Sequence, residues 1–370
     1  MTSPTLQTSR RIRATPYKKQ VEKHGVSGYS VVNHTILPKG FERTVEEDYW
    51  HLREHVQLWD VGCQRQVEVK GGDATQLVQL MTPRDLSFAE VGQCLYAPMV
   101  DHAGGMLNDP IILKLGSDHY WLSISDSDVL LWAKGLAYGL GLDVEIEEPD
   151  VWPMAVQGPK ADDLMAEVFG QATRDIKFFR FARVEFHGHP LVVARSGFSK
   201  QGGFEIYLDR PEMGDQLWTS LWHAGRRFDV SPGCPNLIER IEAGLLSYGN
   251  EMTRDNNPFE CGFERYCQLE KAADFIGREA LKAIQSQGPR RIIRGVKFGA
   301  DRCPPCSTPW PVRVNDQAVG LVTSVAWSPR FDTNVGLAMI DREFWNRGQS
   351  IAVEGEDEIV REGEVTCLPM

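Results

Sequence analysis

A glycine-rich loop between two apolar segments constrains this chain most. Residues 191–194 are apolar, and residues 204–208 alternate between apolar and polar side chains, as a half-buried strand does. Gly197, Gly202 and Gly203 lie between them. Glycine adopts backbone angles that other residues avoid and lets a ligand approach the main chain. The pattern predicts strand, tight loop and strand, and it is compatible both with an ordinary hairpin and with a ligand-binding loop.

Composition limits the classes of partner. The chain has 370 residues, 42% of them hydrophobic, and a formal net charge of −11. Its length predicts two or three domains. The negative charge argues against nucleic acid as a partner, because phosphate binding needs a basic surface, and it suits a cationic or zwitterionic small molecule. No apolar run approaches the roughly 20 residues of a membrane helix.

The cysteines and the N-terminus bear on the compartment. The eight cysteines are scattered, which indicates reduced thiols and a cytoplasmic protein. The first residues are rich in Ser, Thr and Arg and lack acids, which fits a transit peptide or a short arm, and we expect the arm.

The periodicity of apolar residues predicts an α+β fold, with an N-terminal arm at 1–44, a large mixed domain at 45–281 and a C-terminal β-rich domain at 291–370. Thr44 and Glu47 have the spacing of a capping box before a helix over 45–59, and residues 282–290 resemble a linker. Further helices are predicted at 74–81, 128–138, 162–169, 213–223 and 237–248. Strands are predicted at 61–69, 95–100, 111–115, 120–124, 143–146, 154–159, 184–186, 292–298, 319–324, 335–340 and 350–353.

Two motifs resemble metal or redox sites. His51 and His55 fit a zinc-peptidase pattern, but a catalytic zinc needs a third protein ligand and none is evident. Cys303 and Cys306 have thioredoxin-like spacing without the βαβ context, and no second cysteine pair lies nearby. We therefore expect surface or half-buried histidines, a rigid proline turn and no metal.

Asn108 and Asp109 follow a glycine turn and precede an apolar strand. Loop residues at such positions often line clefts, although a solvated turn aspartate fits equally well.

Several short segments, in a consistent order, resemble the aminomethyltransferase family, which includes the T-protein of the glycine cleavage system. They are 58–61 (LWDV), 95–99 (LYAPM), 104–109 (GGMLND), 156–159 (VQGP), 202–206 (GGFEI), 240–245 (RIEAGL), 275–281 (FIGREAL) and 323–329 (TSVAWSP). Further segments resemble the dimethylsulfoniopropionate demethylase branch of that family. They are 9–13 (SRRIR), 54–61 (EHVQLWDV), 195–197 (RSG), 199–203 (SKQGG), 233–240 (GCPNLIER), 245–250 (LLSYGN) and 258–262 (PFECG).

The resemblance implies a fold and a reaction. The fold would be three subdomains packed as a ring, with a small C-terminal β-barrel-like domain. The reaction would be transfer of a methyl group from dimethylsulfoniopropionate to tetrahydrofolate, giving methylthiopropionate and 5-methyltetrahydrofolate. The implied partners are these small molecules, and a homodimer stays open.

The resemblance also assigns residues. Glu205, Tyr96 and Gln157 would bind the folate, and Asn108, Asp109 and Tyr207 would be catalytic. Phe198, Lys200 and Tyr207 would bind the donor, with Phe204 as a further aromatic face and Arg195 as an alternative partner of the donor carboxylate.

Two positions depart from relatives. The T-protein has two aspartates where this chain has Asn108 and Asp109, which suits a methyl transfer that needs less proton management. The demethylase branch carries tryptophan where this chain has Phe198, a poorer face for a cation. Two alternatives therefore stay open. The chain could be a paralogue that acts on another sulfonium or ammonium compound, such as a betaine or dimethylglycine, or a non-catalytic folate-binding protein.

Overall fold

A computed structural model describes residues 7–270, 273–299 and 301–370, so the predicted arm at 1–44 begins outside the described residues. The chain forms two compact units. The first comprises the described residues up to Thr75 with Ala89–Leu95 and Pro110–Asn236. The second comprises the described residues of Gln76–Phe88, Tyr96–Asp109 and Leu237–Met370.

The α-helices of the described part are α1 Lys18–Lys23, α2 Val45–Glu54, α3 Ala74–Leu80, α4 Val129–Leu140, α5 Ala161–Phe169, α6 Gly214–Gly225, α7 Leu237–Ala243 and α8 Arg278–Gln287. The strands are β1 Gly28–Val32, β2 Thr35–Gly40, β3 Val56–Asp60, β4 Gln66–Lys70, β5 Cys94–Tyr96, β6 Met99–Val100, β7 Met106–Asn108, β8 Ile111–Gly116, β9 His119–Ser123, β10 Glu145–Glu147, β11 Trp152–Gln157, β12 Phe181–Phe186, β13 His189–Ala194, β14 Gly203–Leu208, β15 Val230–Gly233, β16 Arg291–Phe298, β17 Trp310–Val314, β18 Gln317–Ser328, β19 Thr333–Asp341, β20 Ser350–Glu354 and β21 Val360–Thr366.

A six-stranded sheet in the first unit, in the order β12-β13-β14-β11-β3-β15, carries the predicted glycine loop between β13 and β14. Successive side chains of a strand point to opposite faces. Phe204, Ile206 and Leu208 enter the core cluster that also contains Leu164 of α5 and Leu217 of α6. Helices α5 and α6 therefore cover one face of the sheet, and Glu205 and Tyr207 point to the other face.

A second sheet of the first unit carries the strands β10, β4, β9 and β8 side by side. Glu68 of β4 lies directly opposite Trp121 of β9, and Lys70 lies opposite His119. Directly opposed side chains share one face of a sheet, so Glu68 and Trp121 are neighbours.

The C-terminal part of the second unit is a closed barrel in the strand order β16-β19-β18-β17-β20-β21. Its interior is apolar and includes Phe298, Trp310 and Val322. This barrel and the mixture of helices and strands before it confirm the predicted α+β class with a small C-terminal β-barrel-like domain.

The predicted strand at 61–69 begins only at Gln66, and three further predicted elements are wrong in their extent. The helix predicted at 45–59 has the expected capping box but ends at Glu54, and Val56–Asp60 is a fully buried strand held between β11 and β15. The helix predicted at 237–248 ends at Ala243, where Gly244 has a φ of +69°. Most of the linker predicted at 282–290 belongs to α8, a largely polar helix that buries Leu281.

Candidate active site

Glu205 is a buried carboxylate on the face of the six-stranded sheet opposite α5 and α6. It is 5% exposed, and Oγ of Ser196 donates a hydrogen bond to its Oε2. Burial raises the pKa of Glu205 above its usual value, and the Ser196 hydrogen bond offsets this only in part. A ligand that brings hydrogen-bond donors would therefore stabilise the ionised form of this carboxylate.

The hydroxyl of Tyr207 is an unpartnered polar atom next to Glu205 on the same face. Tyr207 is 1% exposed, and within the described residues its hydroxyl finds no hydrogen-bond partner at normal geometry. Burial raises the pKa of Tyr207 well above its usual value, and the nearby charge of Glu205 raises it further. Buried hydroxyls are nearly always paired, so this atom indicates a site for a polar ligand or water.

The side chain of Gln157 holds the glycine loop in place through hydrogen bonds. Its Nε2 donates to the carbonyl of Ser196 at 3.1 Å, and its Oε1 accepts from Oγ of Ser199 at 2.8 Å. A Cβ at Gly197 would lie 2.1 Å from this amide nitrogen, and one at Gly203 would lie 2.5 Å from it. Both positions therefore need glycine, and the side chain of Gln157 sets the path of the loop.

Phe198 lies on the same face of the sheet as Glu205. Its half-buried ring packs against a cluster made up of Leu52, Trp59, Val61 and Ala155. Glu205 lies opposite Ala155 on one side and Ala194 on the other, and Ala194 belongs to the cluster that contains Tyr207. In the strand pairing, Glu205 thus lies between the cluster that Phe198 packs against and the cluster that contains Tyr207. Lys200 is exposed near the tip of the loop.

Two predicted donor contacts are wrong. Phe204 points to the opposite face of the sheet, where it is fully buried in the core. The guanidinium of Arg195 lies 5.1 Å from the centre of the Phe204 ring and 2.5 Å from Oδ2 of Asp162. Strand alternation thus gives Phe204 a role in the core of the first unit, and the ion pair with Asp162 gives Arg195 a structural role there.

In the second unit, the hydroxyl of Tyr96 donates a 2.8 Å hydrogen bond to Oδ2 of Asp109. The ring of Tyr96 meets the edges of the Phe263 and Tyr266 rings at 5.3 and 5.1 Å between centroids. Burial and the charge of Asp109 raise the pKa of Tyr96 well above its usual value, so Tyr96 stays a hydrogen-bond donor at neutral pH. Asn108 is fully buried and ends β7, directly before Asp109.

The histidine motif and the cysteine motif that resemble metal or redox sites do not form such sites in the described residues. Nε2 of His51 contacts the carbonyl of Asp229 at 2.9 Å, and burial lowers the pKa of His51 to about 4. Burial raises the pKa of Cys303 to about 11 and of Cys306 to about 12, so both remain thiols. Across residues 7–270, 273–299 and 301–370, no three His, Cys, Asp or Glu side chains are grouped as metal ligands would be.

The helices of the described residues are all too short or too polar to span a bilayer.

Ser196 and Trp121 also lie at the candidate site, and no sequence pattern indicated them. Ser196 had no visible partner in the sequence, because its partner Glu205 is brought to it by the turn of the chain at the glycine loop. Trp121 contacts Tyr207 from another sheet, and no local pattern encodes that packing.

Comparison with known proteins identifies the family. Residues 17–271 match the family described as GCVT N-terminal domain, and residues 291–370 match the glycine cleavage T-protein C-terminal barrel domain. The crystal structure of the glycine cleavage system aminomethyltransferase T from Bartonella henselae has the same fold, with a TM-score of 0.86, 22% identity and coverage of 97% of this chain and 98% of that chain.

Two curated relatives extend this match. The chain is 52% identical to dimethylsulfoniopropionate demethylase DmdA of Ruegeria pomeroyi over 96% of this chain and 98% of that protein. It is 31% identical to an aminomethyltransferase of Thermoanaerobacter sp. over 86% of both chains. The chain therefore belongs to the aminomethyltransferase (glycine cleavage T-protein) family, as the sequence segments predict.

Proposed function

We propose that the chain is a demethylase that transfers a methyl group from dimethylsulfoniopropionate to tetrahydrofolate, giving methylthiopropionate and 5-methyltetrahydrofolate. The 52% identity to a dimethylsulfoniopropionate demethylase over nearly the whole of both chains supports this donor. The structural observation that carries the proposal is the buried carboxylate of Glu205 beside the unpartnered hydroxyl of Tyr207.

The residues present fit a folate. A reduced pterin carries several N–H donors, and the acceptor that suits them is an ionised carboxylate in a dry site. Glu205 is a buried carboxylate that Ser196 already contacts, and further donors from a pterin would favour its ionised form. We assign Glu205 to the pterin, and we assign Gln157 to the same site as the residue that holds the loop in place.

The reaction needs little chemistry from side chains. The bond from sulfur to a methyl carbon breaks, its electron pair returns to sulfur, and a neutral thioether leaves. Bound tetrahydrofolate supplies the N5 amine that accepts the methyl group, with release of a proton. The work of the protein is alignment and exclusion of water, and both are large effects when two substrates must meet.

We assign the donor to the face of the sheet that carries Tyr207 and Phe198. An aromatic face attracts a sulfonium by about 0.5–2 kcal/mol, depending on how dry the contact is. Arg195 forms an ion pair with Asp162. We therefore assign the ammonium of Lys200 to bind the carboxylate of the donor.

We assign control of charge at the reacting folate amine to the pair Tyr96 and Asp109, together with Asn108. The hydrogen bond from Tyr96 orients the carboxylate of Asp109. Asn108 can donate and accept hydrogen bonds but cannot carry a charge, which suits a methyl transfer with one proton to release.

A second candidate function is demethylation of another onium compound, and Phe198 is the observation that favours it. A substrate panel separates the candidates: purified protein with tetrahydrofolate and, in turn, dimethylsulfoniopropionate, glycine betaine or dimethylglycine. We expect turnover with dimethylsulfoniopropionate at least about tenfold faster than with the others, a difference of about 1.4 kcal/mol in the barrier. Faster turnover of an ammonium donor would identify an ammonium compound as the substrate. Folate binding without turnover of any donor would favour a non-catalytic binding protein.

We propose a cytoplasmic, small-molecule enzyme without a nucleic-acid partner, in line with the net charge of −11. A homodimer is part of this proposal, and light scattering at working concentration tests it.

A further inference from the structure

The hydroxyl of Tyr207 lies near Glu205 and Ser123 but makes no hydrogen bond of normal geometry with a described residue, so packing is the main constraint on its ring. Its aromatic neighbour is Trp121, with 6.0 Å between the ring centroids and 39° between the ring planes. Trp121 is 6% exposed and shares a buried cluster with Tyr207, Cys94 and Val192. The position of the Tyr207 ring therefore depends on the position of the Trp121 indole.

The indole is in turn held by a carboxylate on the neighbouring strand. Nε1 of Trp121 donates to Oε1 of Glu68 at 2.9 Å, and Nε2 of His119 contacts the same oxygen at 2.7 Å. Burial alone would raise the pKa of Glu68, but the hydrogen bonds from His119 and Trp121 outweigh it and lower the pKa. Glu68 is therefore ionised at neutral pH and can only accept, so His119 is the donor in its contact.

This arrangement is more specific than core packing requires. A tryptophan in a core usually satisfies its N–H with any acceptor, and a backbone carbonyl is sufficient. Here the acceptor is a mostly buried charge that costs desolvation and needs its own second donor. A charge-assisted hydrogen bond fixes a ring more tightly than a neutral one does, and the ring so fixed contacts Tyr207.

We propose that Trp121, fixed by Glu68, is a positioning residue that holds the hydroxyl of Tyr207 in place for the methyl donor. The inference rests on the proposed function, because it gives Tyr207 its role at the donor. Trp121 acts through Tyr207 and affects kcat/KM for the donor. The affinity for tetrahydrofolate depends on Glu205 and not on Trp121.

A double-mutant cycle tests this directly. Trp121→Phe keeps an aromatic ring but loses the N–H, and Tyr207→Phe removes the hydroxyl that is to be positioned. We expect Trp121→Phe to lower kcat/KM for dimethylsulfoniopropionate by about tenfold in the wild type and by less than about twofold in the Tyr207→Phe background, since residues that act together are not additive. Tetrahydrofolate affinity, measured by calorimetry, should change by less than about twofold in both backgrounds.

Two variants of Glu68 separate positioning from stability. Glu68→Gln keeps an acceptor oxygen for the indole and should recover most of the activity, whereas Glu68→Leu removes the acceptor and should match Trp121→Phe. Trp132→Phe on α4 is the control for the loss of an indole N–H elsewhere in the same unit; its N–H has no partner among the described residues.

The outcomes are distinct. An equal loss from Trp121→Phe in both backgrounds, or a loss that only follows the melting temperature, would overturn the positioning role. If the wild-type protein turns over no dimethylsulfoniopropionate, the proposed function fails first, and the inference falls with it.

Discussion

Gly197 lies so close to Gln157 that a Cβ at Gly197 would sit 2.1 Å from the amide nitrogen of Gln157. Gln157 is fully buried and already holds the loop through Ser196 and Ser199, so it has no room to move. The loop that defines the candidate site is thus specified by contact between a glycine and a buried amide as well as by backbone angles.

Gly197→Ala should therefore disturb the loop more than Gly202→Ala does. Both glycines have positive φ values, +149° and +80°, but a Cβ at Gly202 would meet nothing within 4 Å. We expect Gly202→Ala to cost about 1–2 kcal/mol of unfolding free energy for its backbone angle. Gly197→Ala should cost about 1–3 kcal/mol more for the overlap, with weaker tetrahydrofolate binding. Urea unfolding and calorimetry measure both, and equal losses in the two variants would contradict this account.

Glu205→Gln should separate stability from folate binding. The pKa of Glu205 is raised by burial, so the ionised form destabilises the folded state, and stability is lost as the pH rises through the folded pKa. At pH 7 the ligand-free variant should therefore be at least as stable as the wild type. Its tetrahydrofolate affinity should fall about ten- to hundredfold, because a hydrogen bond to a charged group contributes about 1.5–3 kcal/mol.

Glu185→Gln, at an exposed position on β12, is the control for the loss of a charge on the same sheet. Undiminished folate affinity in Glu205→Gln would remove Glu205 from the folate site.

Tyr96→Phe should slow turnover without unfolding the protein. The change removes the 2.8 Å hydrogen bond to Asp109 and leaves the ring contacts in place. We expect kcat to fall about tenfold, since a hydrogen bond to a charged group contributes about 1.5–3 kcal/mol. The matched variant is Tyr266→Phe, whose hydroxyl contacts Arg265 at 2.5 Å. Equal kcat values for Tyr96→Phe and the wild type would exclude the assigned role.

Asp60 should make stability fall between about pH 4 and pH 7. Burial raises the pKa of Asp60 to about 7, while the hydroxyl of Thr15 donates to it at 2.5 Å. A raised folded pKa gives stability that is complete below the unfolded pKa and is lost as the pH rises through the folded pKa. The loss should be on the order of 4 kcal/mol, at about 1.4 kcal/mol for each unit of pKa difference.

Asp60→Asn should flatten this slope in urea unfolding measured at several pH values. Asp118→Asn, at an exposed turn, should leave the slope as in the wild type. The prediction fails if wild type and Asp60→Asn lose stability in parallel over this pH range.

Local patterns predicted the elements with strong chemical signals. The glycine loop lies where the sequence predicts it, and the capping box of Thr44 and Glu47 starts a helix. The end of that helix was missed because Val56 and Trp59 continue the helical spacing, although they belong to an internal strand that is buried on both faces. Tertiary pairing on both edges of the strand outweighed the local pattern.

The candidate site likewise has features that local sequence patterns predict and features that they do not. Strand alternation places Glu205 and Tyr207 together and Phe204 on the opposite face, so this much could be deduced from the sequence. The engagement of Arg195 with Asp162 and the contact of Trp121 with Tyr207 join residues far apart in the chain. No spacing rule encodes such contacts, because they depend on how helices and sheets pack.

The most direct test of the proposed function is an anaerobic reaction of the purified protein with tetrahydrofolate and dimethylsulfoniopropionate whose S-methyl groups are fully deuterated. We expect methylthiopropionate and 5-methyltetrahydrofolate in equal amounts by mass spectrometry, each carrying one intact deuterated methyl group. Methylthiopropionate without labelled 5-methyltetrahydrofolate, or neither product while folate remains bound, would contradict direct methyl transfer from this donor.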